Sequence, residues 1–172
     1  PIDEIIRIAK KHSLFVIEDA CQAHGSTYKK KKLGTFGDIG VFSFYPSKNL
    51  GANREAGRVV KNISSYQIII MMMLNHGQQP IKIHELLGIN SRLDELQAAV
   101  LSVKLQFLEK INNEHRKHVR LYLSNLTVKT QEIIRGGVSN YYVFVIQVKK
   151  RDQLQQFLKK SGIEIKGEGS EG

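Results

Sequence analysis

The sequence predicts an α/β protein, and three observations carry that expectation. An amphipathic helical pattern opens the chain, a short unbroken apolar run follows it, and strand-like runs recur at 39–45 and 56–62 after glycine-containing turns. A helix leading into a strand buried on both faces is half of a βαβ unit, the repeating element of mostly parallel sheets.

Each element has a local reason. In IDEIIRIAKKH (2–12) the apolar residues at 2, 5, 6, 8 and 9 share one helical face. Leu14–Ile17 is the short apolar strand, and it ends at Glu18-Asp19. Ligands of open α/β sheets gather beyond the carboxyl ends of the strands, so Asp19 stands where a functional carboxylate belongs. STYKKKKLGTFGD (26–38) reads as a hairpin and turn. IGVFSFY (39–45) is a strand of β-branched and aromatic residues, and AGRVVKN (56–62) a shorter one. In SSYQIIIMMMLNHG, Ser64 or Ser65 caps a helix that Gly77 ends, although Ile68–Ile70 also suits a strand.

The strongest helical signal is residues 91–126, where Leu93, Leu96, Val100, Val103 and Phe107 recur at alternating three- and four-residue steps. Ser91 serves as N-cap with Asp94 in the capping-box position. The segment is longer than a usual globular helix, so a bend or a hand-over between domains is expected near Phe107–Asn113. YYVFVIQV (141–148) then reads as a strand and RDQLQQFLKKSG (151–162) as a helix stopped by Gly162, a second α/β patch belonging to a smaller domain. The Gly-rich tail KGEGSEG is expected to fray.

Composition narrows the function. The chain has 172 residues, 41% of them hydrophobic, as in an ordinary globular protein. Its longest apolar cluster, Ile68–Leu74, is far shorter than the ~18–20 residues that span a bilayer, so no membrane role is expected. The opening lacks a signal-peptide layout and an initiator methionine, which suggests a start inside a longer product. Cys21 is the single cysteine, so no intrachain disulfide forms; this fits a reducing cytoplasm. A net charge of +10 keeps a basic nucleic-acid-binding protein open as an alternative. The lysines are dispersed, however, with neither an RNA-binding aromatic signature nor zinc spacing beside them. A solvated basic surface explains the charge, and no metal site is expected.

The chemistry concentrates in FSFYPSKNLGA (42–52), where Lys48 is the one charged residue at the end of a strand-like run. A lysine there either reaches for solvent along its aliphatic stem or acts as a nucleophilic amine. Burial disfavours the ammonium form of a lysine and makes a Schiff base with an aldehyde accessible, pyridoxal phosphate being the usual one. That cofactor needs a carboxylate against its pyridine nitrogen, a phosphate cradle and a group beside its phenolic oxygen. Asp19 answers the first need, Ser43 part of the second, and Gln22 or His24 the third.

With those residues in that order, VIEDACQAHGSTYKKKKLGTFGDIGVFSFYPSKNLGA resembles the heart of the DegT/DnrJ/EryC/StrS family of nucleotide-sugar aminotransferases. HELLGINSRLDELQAAVLSVKLQFLEKINNEHRKH resembles the segment that follows it in the family. The resemblance implies a pyridoxal-phosphate transferase of fold type I, aspartate aminotransferase-like. Residues 1–108 would be the C-terminal portion of the cofactor-binding large domain, and 109–172 part of the small C-terminal domain.

It also implies an enzyme, homodimeric when complete, that transfers an amino group, commonly from glutamate, to a nucleotide-linked keto-sugar. By the same resemblance Lys48 is the Schiff-base lysine, Asp19 pairs with the pyridine nitrogen, Gln22 lies beside the ring oxygen and Ser43 binds phosphate. Asn90 reaches the phosphate of the neighbouring subunit's cofactor. His24 reads as packing, Arg92 and Asp94 as supports of a helix start, and Gln97 as an interface or a site residue. Relatives that dehydrate or deoxygenate sugars carry histidine where this chain has Lys48, so the lysine implies transamination.

The chain departs from the family in three places. Arg54 and Ala56 stand at two glycine positions of the turn after the lysine, where a side chain forced to positive φ costs about 1 kcal/mol or more. GIEIKGEGSEG replaces a histidine-containing motif. The chain also begins where the family's fifth large-domain strand is about to start. A partial chain is therefore expected, with an open sheet edge and an exposed apolar face. Its main alternative is an inactive remnant of such an enzyme.

Overall fold

The computed structural model describes residues 1–61, 65–78 and 83–166. Helix α1 (Ile2–Lys11) carries Asp3 and Glu4 in its first turn and Lys10 and Lys11 in its last, each sign complementing the helix dipole. It leads into β1 (Ile17–Asp19). The hairpin β2 (Thr27–Tyr28) and β3 (Lys31–Lys32) follows, turning through Lys29 and Lys30 at φ 47° and 65°. The Lys29 ammonium lies 2.5 Å from the Asp3 carboxylate, which pins this hairpin to α1. Strand β4 (Ile39–Ser43) then pairs parallel with β1, aligning Asp19 with Val41, and antiparallel with β5 (Gly57–Lys61).

Glu18 and Asp19 alternate across β1 and so serve different ends. The Glu18 carboxylate accepts the backbone N–H groups of Gly34, Phe36 and Gly37, fastening the loop that feeds β4. Gly40 is required where that loop crosses β4, because a Cβ there would lie 2.0 Å from the Gly34 carbonyl oxygen.

Residues 65–74 form helix α2 (Ser65–Leu74) and not a strand, and Gly77 lies beyond it at φ +74°. Ser64, the other cap candidate, lies outside the described residues. The long helical segment divides into α3 (Glu95–Leu105) and α4 (Leu108–Asn125), with the break at Gln106-Phe107, at the edge of the expected interval. Asp94, not Ser91, is the N-cap: its carboxylate accepts the Gln97 N–H at 2.8 Å. A helix beginning at residue 95 leaves Ser91 in the preceding loop.

Two further ladders complete the chain. Strand β7 (Gly137–Val138) pairs with β2, and β6 (Lys129–Thr130) pairs with β8 (Ile146–Gln147). Only 146–147 of the expected strand 141–148 lies in a ladder, since its partner β6 is two residues long, and Tyr141 at the start of the run sits at φ +46°. Helix α5 (Arg151–Lys160) closes the described part, with Gly162 at φ +76° beyond it. Of the tail, residues 167–172 lie outside the described residues. No helix among the described residues is long and apolar enough to cross a membrane.

The core is small: Phe44, Leu50, Ala52 and Leu101, with Phe42, Ala56 and Leu108 against it. Two expected core faces lie outside it. Leu14, Phe15 and Ile17 are exposed, Ile17 at 65%, because β1 is the edge strand of its sheet among the described residues. On α3 the buried positions are Gln97 and Leu101, so the 93/96/103/107 stripe faces outward, Leu96 at 71% exposure.

Candidate active site

Because β1 and β4 run parallel, their carboxyl ends share one edge of the sheet, and Asp19 and Ser43 terminate them. Beyond Ser43 the chain turns sharply: Lys48 N donates to Tyr45 O at 2.9 Å, and Ala52 N returns to Phe44 O at 2.8 Å. Two side chains of α3 hold the turn from outside. Lys104 Nζ donates to Gly51 O at 2.5 Å, and Gln97 Oε1 accepts from Asn53 N at 2.7 Å. Gln97 is thereby buried, at 5% exposure, as a brace of the lysine turn. Neither Arg54 nor Ala56 is among the residues at positive φ, so the turn accepts their side chains without that strain.

This turn brings Lys48 within electrostatic reach of the β1 end. Hydrogen bonds from Cys21, first its side chain and then its backbone N–H, hold the Asp19 carboxyl below the usual carboxylate range, and the Lys48 charge adds to them. Asp19 Oδ1 accepts the Cys21 N–H at 3.0 Å. The Cys21 thiol is pushed up by burial and by Asp19. His24, 4% exposed, is pushed down by burial and by Lys48. Neither of its ring nitrogens has a hydrogen-bond partner among the described residues, and the ring lies 5.4 Å and 5.6 Å from those of Phe42 and Phe44. His24 thus packs, as expected.

The other candidates are placed less directly. Ser43 Oγ accepts the Tyr45 N–H at 3.2 Å, which leaves its own proton to donate. The Gln22 side chain is exposed while its carbonyl accepts from Asn140 Nδ2 at 2.8 Å. Asn90 sits on the exposed loop before α3, where its Oδ1 accepts from Arg92 Nε at 3.3 Å. No hydrogen bond among the described residues joins it to Asp19, Ser43 or Lys48.

Several residues around Lys48 were not anticipated. The Tyr142 ring lies 4.5 Å from Lys48 Nζ, and its hydroxyl lies 3.0 Å from Ser47 Oγ. Three buried asparagines, Asn49, Asn112 and Asn140, form a hydrogen-bonded cluster behind them. The available signal was Asn112 itself, a weak helix former in the middle of a long helical pattern. Tyr142 carried none, being one aromatic in an apolar run.

The chain matches the DegT/DnrJ/EryC1/StrS aminotransferase family over residues 1–167. The chain belongs to that family. It is 40% identical over 168 residues to a "Pleiotropic regulatory protein" of Geobacillus stearothermophilus, covering 94% of this chain and 45% of that protein. It is 38% identical over 162 residues to the UDP-N-acetyl-3-dehydro-alpha-D-glucosamine 3-aminotransferase of Acidithiobacillus ferrooxidans, covering 92% and 44%. Among solved structures it superposes on DesV of Streptomyces venezuelae, crystallised with a ketimine intermediate, at a TM-score of 0.91 and 34% identity. That superposition covers 95% of this chain and 45% of DesV. The fold is that of part of an aminotransferase of this family, and the chain spans a little under half the length of these relatives.

Proposed function

We propose that this chain carries the cofactor-binding part of a pyridoxal-phosphate-dependent aminotransferase acting on a nucleotide-linked keto-sugar, with glutamate as amino donor. The observation that carries the reading is that parallel β1 and β4 put Asp19 and the turn bearing Lys48 at the same edge of one sheet. Although 29 positions separate them in sequence, the Lys48 charge is a lesser contributor, after the Cys21 hydrogen bonds, to holding the Asp19 carboxyl low. The donor set fits the cofactor: an amine for its aldehyde, and at the same sheet edge a carboxylate held below its usual range for its pyridinium nitrogen. When bound, pyridoxal phosphate supplies the electron sink for bond breaking next to the amino nitrogen.

The chain's own residues do the rest. Lys48 Nζ would bind the cofactor's aldehyde and, once freed as an amine, would serve as general base and acid. Asp19 would hold the pyridine nitrogen protonated, the Ser43 hydroxyl would donate to the phosphate, and Gln22 would serve the ring oxygen. Asn90, on its exposed loop, serves the partner subunit's site in a homodimer. The outward stripe of Leu96, Val103 and Phe107 supports such a partner, since a contiguous exposed apolar face is costly in water. Residues 1–108 then carry the lysine and the carboxylate, and residues 109–172 belong to the small domain. A cytoplasmic setting fits the single cysteine of the chain.

Adding pyridoxal phosphate tests the reading. A Schiff-base absorbance band is expected, absent in Lys48→Ala, together with 2-oxoglutarate release when glutamate and a nucleotide-linked keto-sugar are supplied. A band that persists in Lys48→Ala, or none in the wild type, rejects it.

A further inference from the structure

The asparagine cluster ties together stretches far apart in the chain. Asn49, next to the lysine, donates through Nδ2 to Asn112 Oδ1 at 2.8 Å and to Asn140 O at 3.2 Å. Asn112 Nδ2 donates to His24 O at 2.9 Å. Asn140 reaches furthest: its N–H donates to Ser26 Oγ at 2.9 Å, and its Nδ2 to Gln22 O at 2.8 Å and His24 O at 3.2 Å. Its Oδ1 accepts the Tyr142 N–H at 3.3 Å. One side chain therefore grips the loop after β1 and sets Tyr142, while the Asn140 carbonyl grips the residue beside Lys48.

The backbone between them is in an unusual state. Tyr141 sits at φ +46°, a region sparsely populated by residues with a Cβ, and such conformations persist only where their surroundings impose them. Ser139 Oγ accepts the Tyr141 N–H at 3.0 Å, and the Asn140 amide anchors the other side. This conformation accompanies a Tyr142 ring whose centroid lies 4.5 Å from the Lys48 ammonium, with its hydroxyl bonded to Ser47 at 3.0 Å. That is inside the ~6 Å over which a ring face attracts a cation.

We propose that Tyr142, set by Asn140, is a positioning residue that seats Lys48 in its charged form. The ring quadrupole attracts the ammonium and not the neutral amine. The seat therefore holds the lysine while it is protonated and lets it go when it is free to attack a carbonyl. The 109–172 segment in this way supplies part of the lysine's surroundings. The catalytic meaning of the seat rests on the reading of Lys48 proposed above.

The test reads the Lys48 amine directly. The full chain is labelled, without cofactor, by a small amine-reactive ester at several pH values, and modification of Lys48 is measured by peptide mass spectrometry against Lys160. At the lower pH values Tyr142→Leu is expected to speed Lys48 labelling about two- to fivefold, the worth of one exposed cation–π contact. Tyr142→Phe, which keeps the ring and loses only the Ser47 bond, is expected to label as the wild type does. The difference should vanish at high pH, where every variant presents a neutral amine.

Equal labelling of Tyr142→Leu and wild type overturns the seat. So does a difference that persists at high pH, since that reports access alone, or Tyr142→Phe behaving as Tyr142→Leu. A labelling contrast without a Schiff-base band in the wild type supports the seat and rejects the aminotransferase reading; a band without the contrast does the reverse.

Discussion

Replacing Asn112 by alanine should be among the most costly single changes outside the apolar core. Asn112 is fully buried, at 0% exposure, in the middle of α4. The substitution deletes its donation to His24 O at 2.9 Å and its acceptance from Asn49 Nδ2 at 2.8 Å. Each hydrogen bond contributes about 0.5–1.5 kcal/mol net. Neither partner is wholly orphaned, because Asn140 Nδ2 still reaches His24 O and Asn140 O still accepts from Asn49, both at 3.2 Å.

The void left by the amide adds roughly 1 kcal/mol where the site cannot collapse. Collapse is restricted on the side of Gly25, whose φ of +80° fixes the turn that the amide packs against. The total is about 2–4 kcal/mol. Urea unfolding near neutral pH measures it as a lower midpoint at unchanged slope. A cycle with Asn49→Ala should return a coupling of roughly 0.5–1.5 kcal/mol. A loss below about 0.5 kcal/mol for Asn112→Ala would falsify the claim that this cluster joins the two segments.

Stability should also depend on pH through His24. Burial keeps its imidazole neutral in the fold, while in the unfolded chain it takes up a proton as pH falls through about 6.5. The unfolded state then binds more protons, so stability present above that pH is lost toward acid by at most about 1.4 kcal/mol per pH unit. His24→Phe should flatten that slope in urea titrations between about pH 5 and 7.5, and parallel curves for variant and wild type would count against it. Asp94→Ala should cost about 1 kcal/mol through loss of the α3 cap, with Asp94→Asn retaining most of it, as read from thermal unfolding. Leu96→Glu together with Val103→Glu should abolish self-association in sedimentation velocity without changing helix content by circular dichroism; unchanged association would remove α3 from the interface.

The α/β class, the helices, the hairpin and the lysine turn were legible in the sequence, because each rests on short-range signals. These are helical periodicity in 2–12 and 91–126, Gly77 and Gly162 as stops, and one charge in an apolar run at Lys48. The family resemblance added roles for Asp19, Gln22, Ser43 and Asn90 that local pattern alone does not assign. Tertiary structure decided which apolar faces are covered. Periodicity marks the Leu96 stripe without saying what it packs on, and it cannot show that β1 is an edge strand. Tertiary structure also decided the surroundings of Lys48. Ser47 and Asn49 meet Asn112, Asn140 and Tyr142 across separations of 63 to 95 positions, and such hydrogen bonds leave no period in a sequence because their partners are chosen by the packing of whole elements.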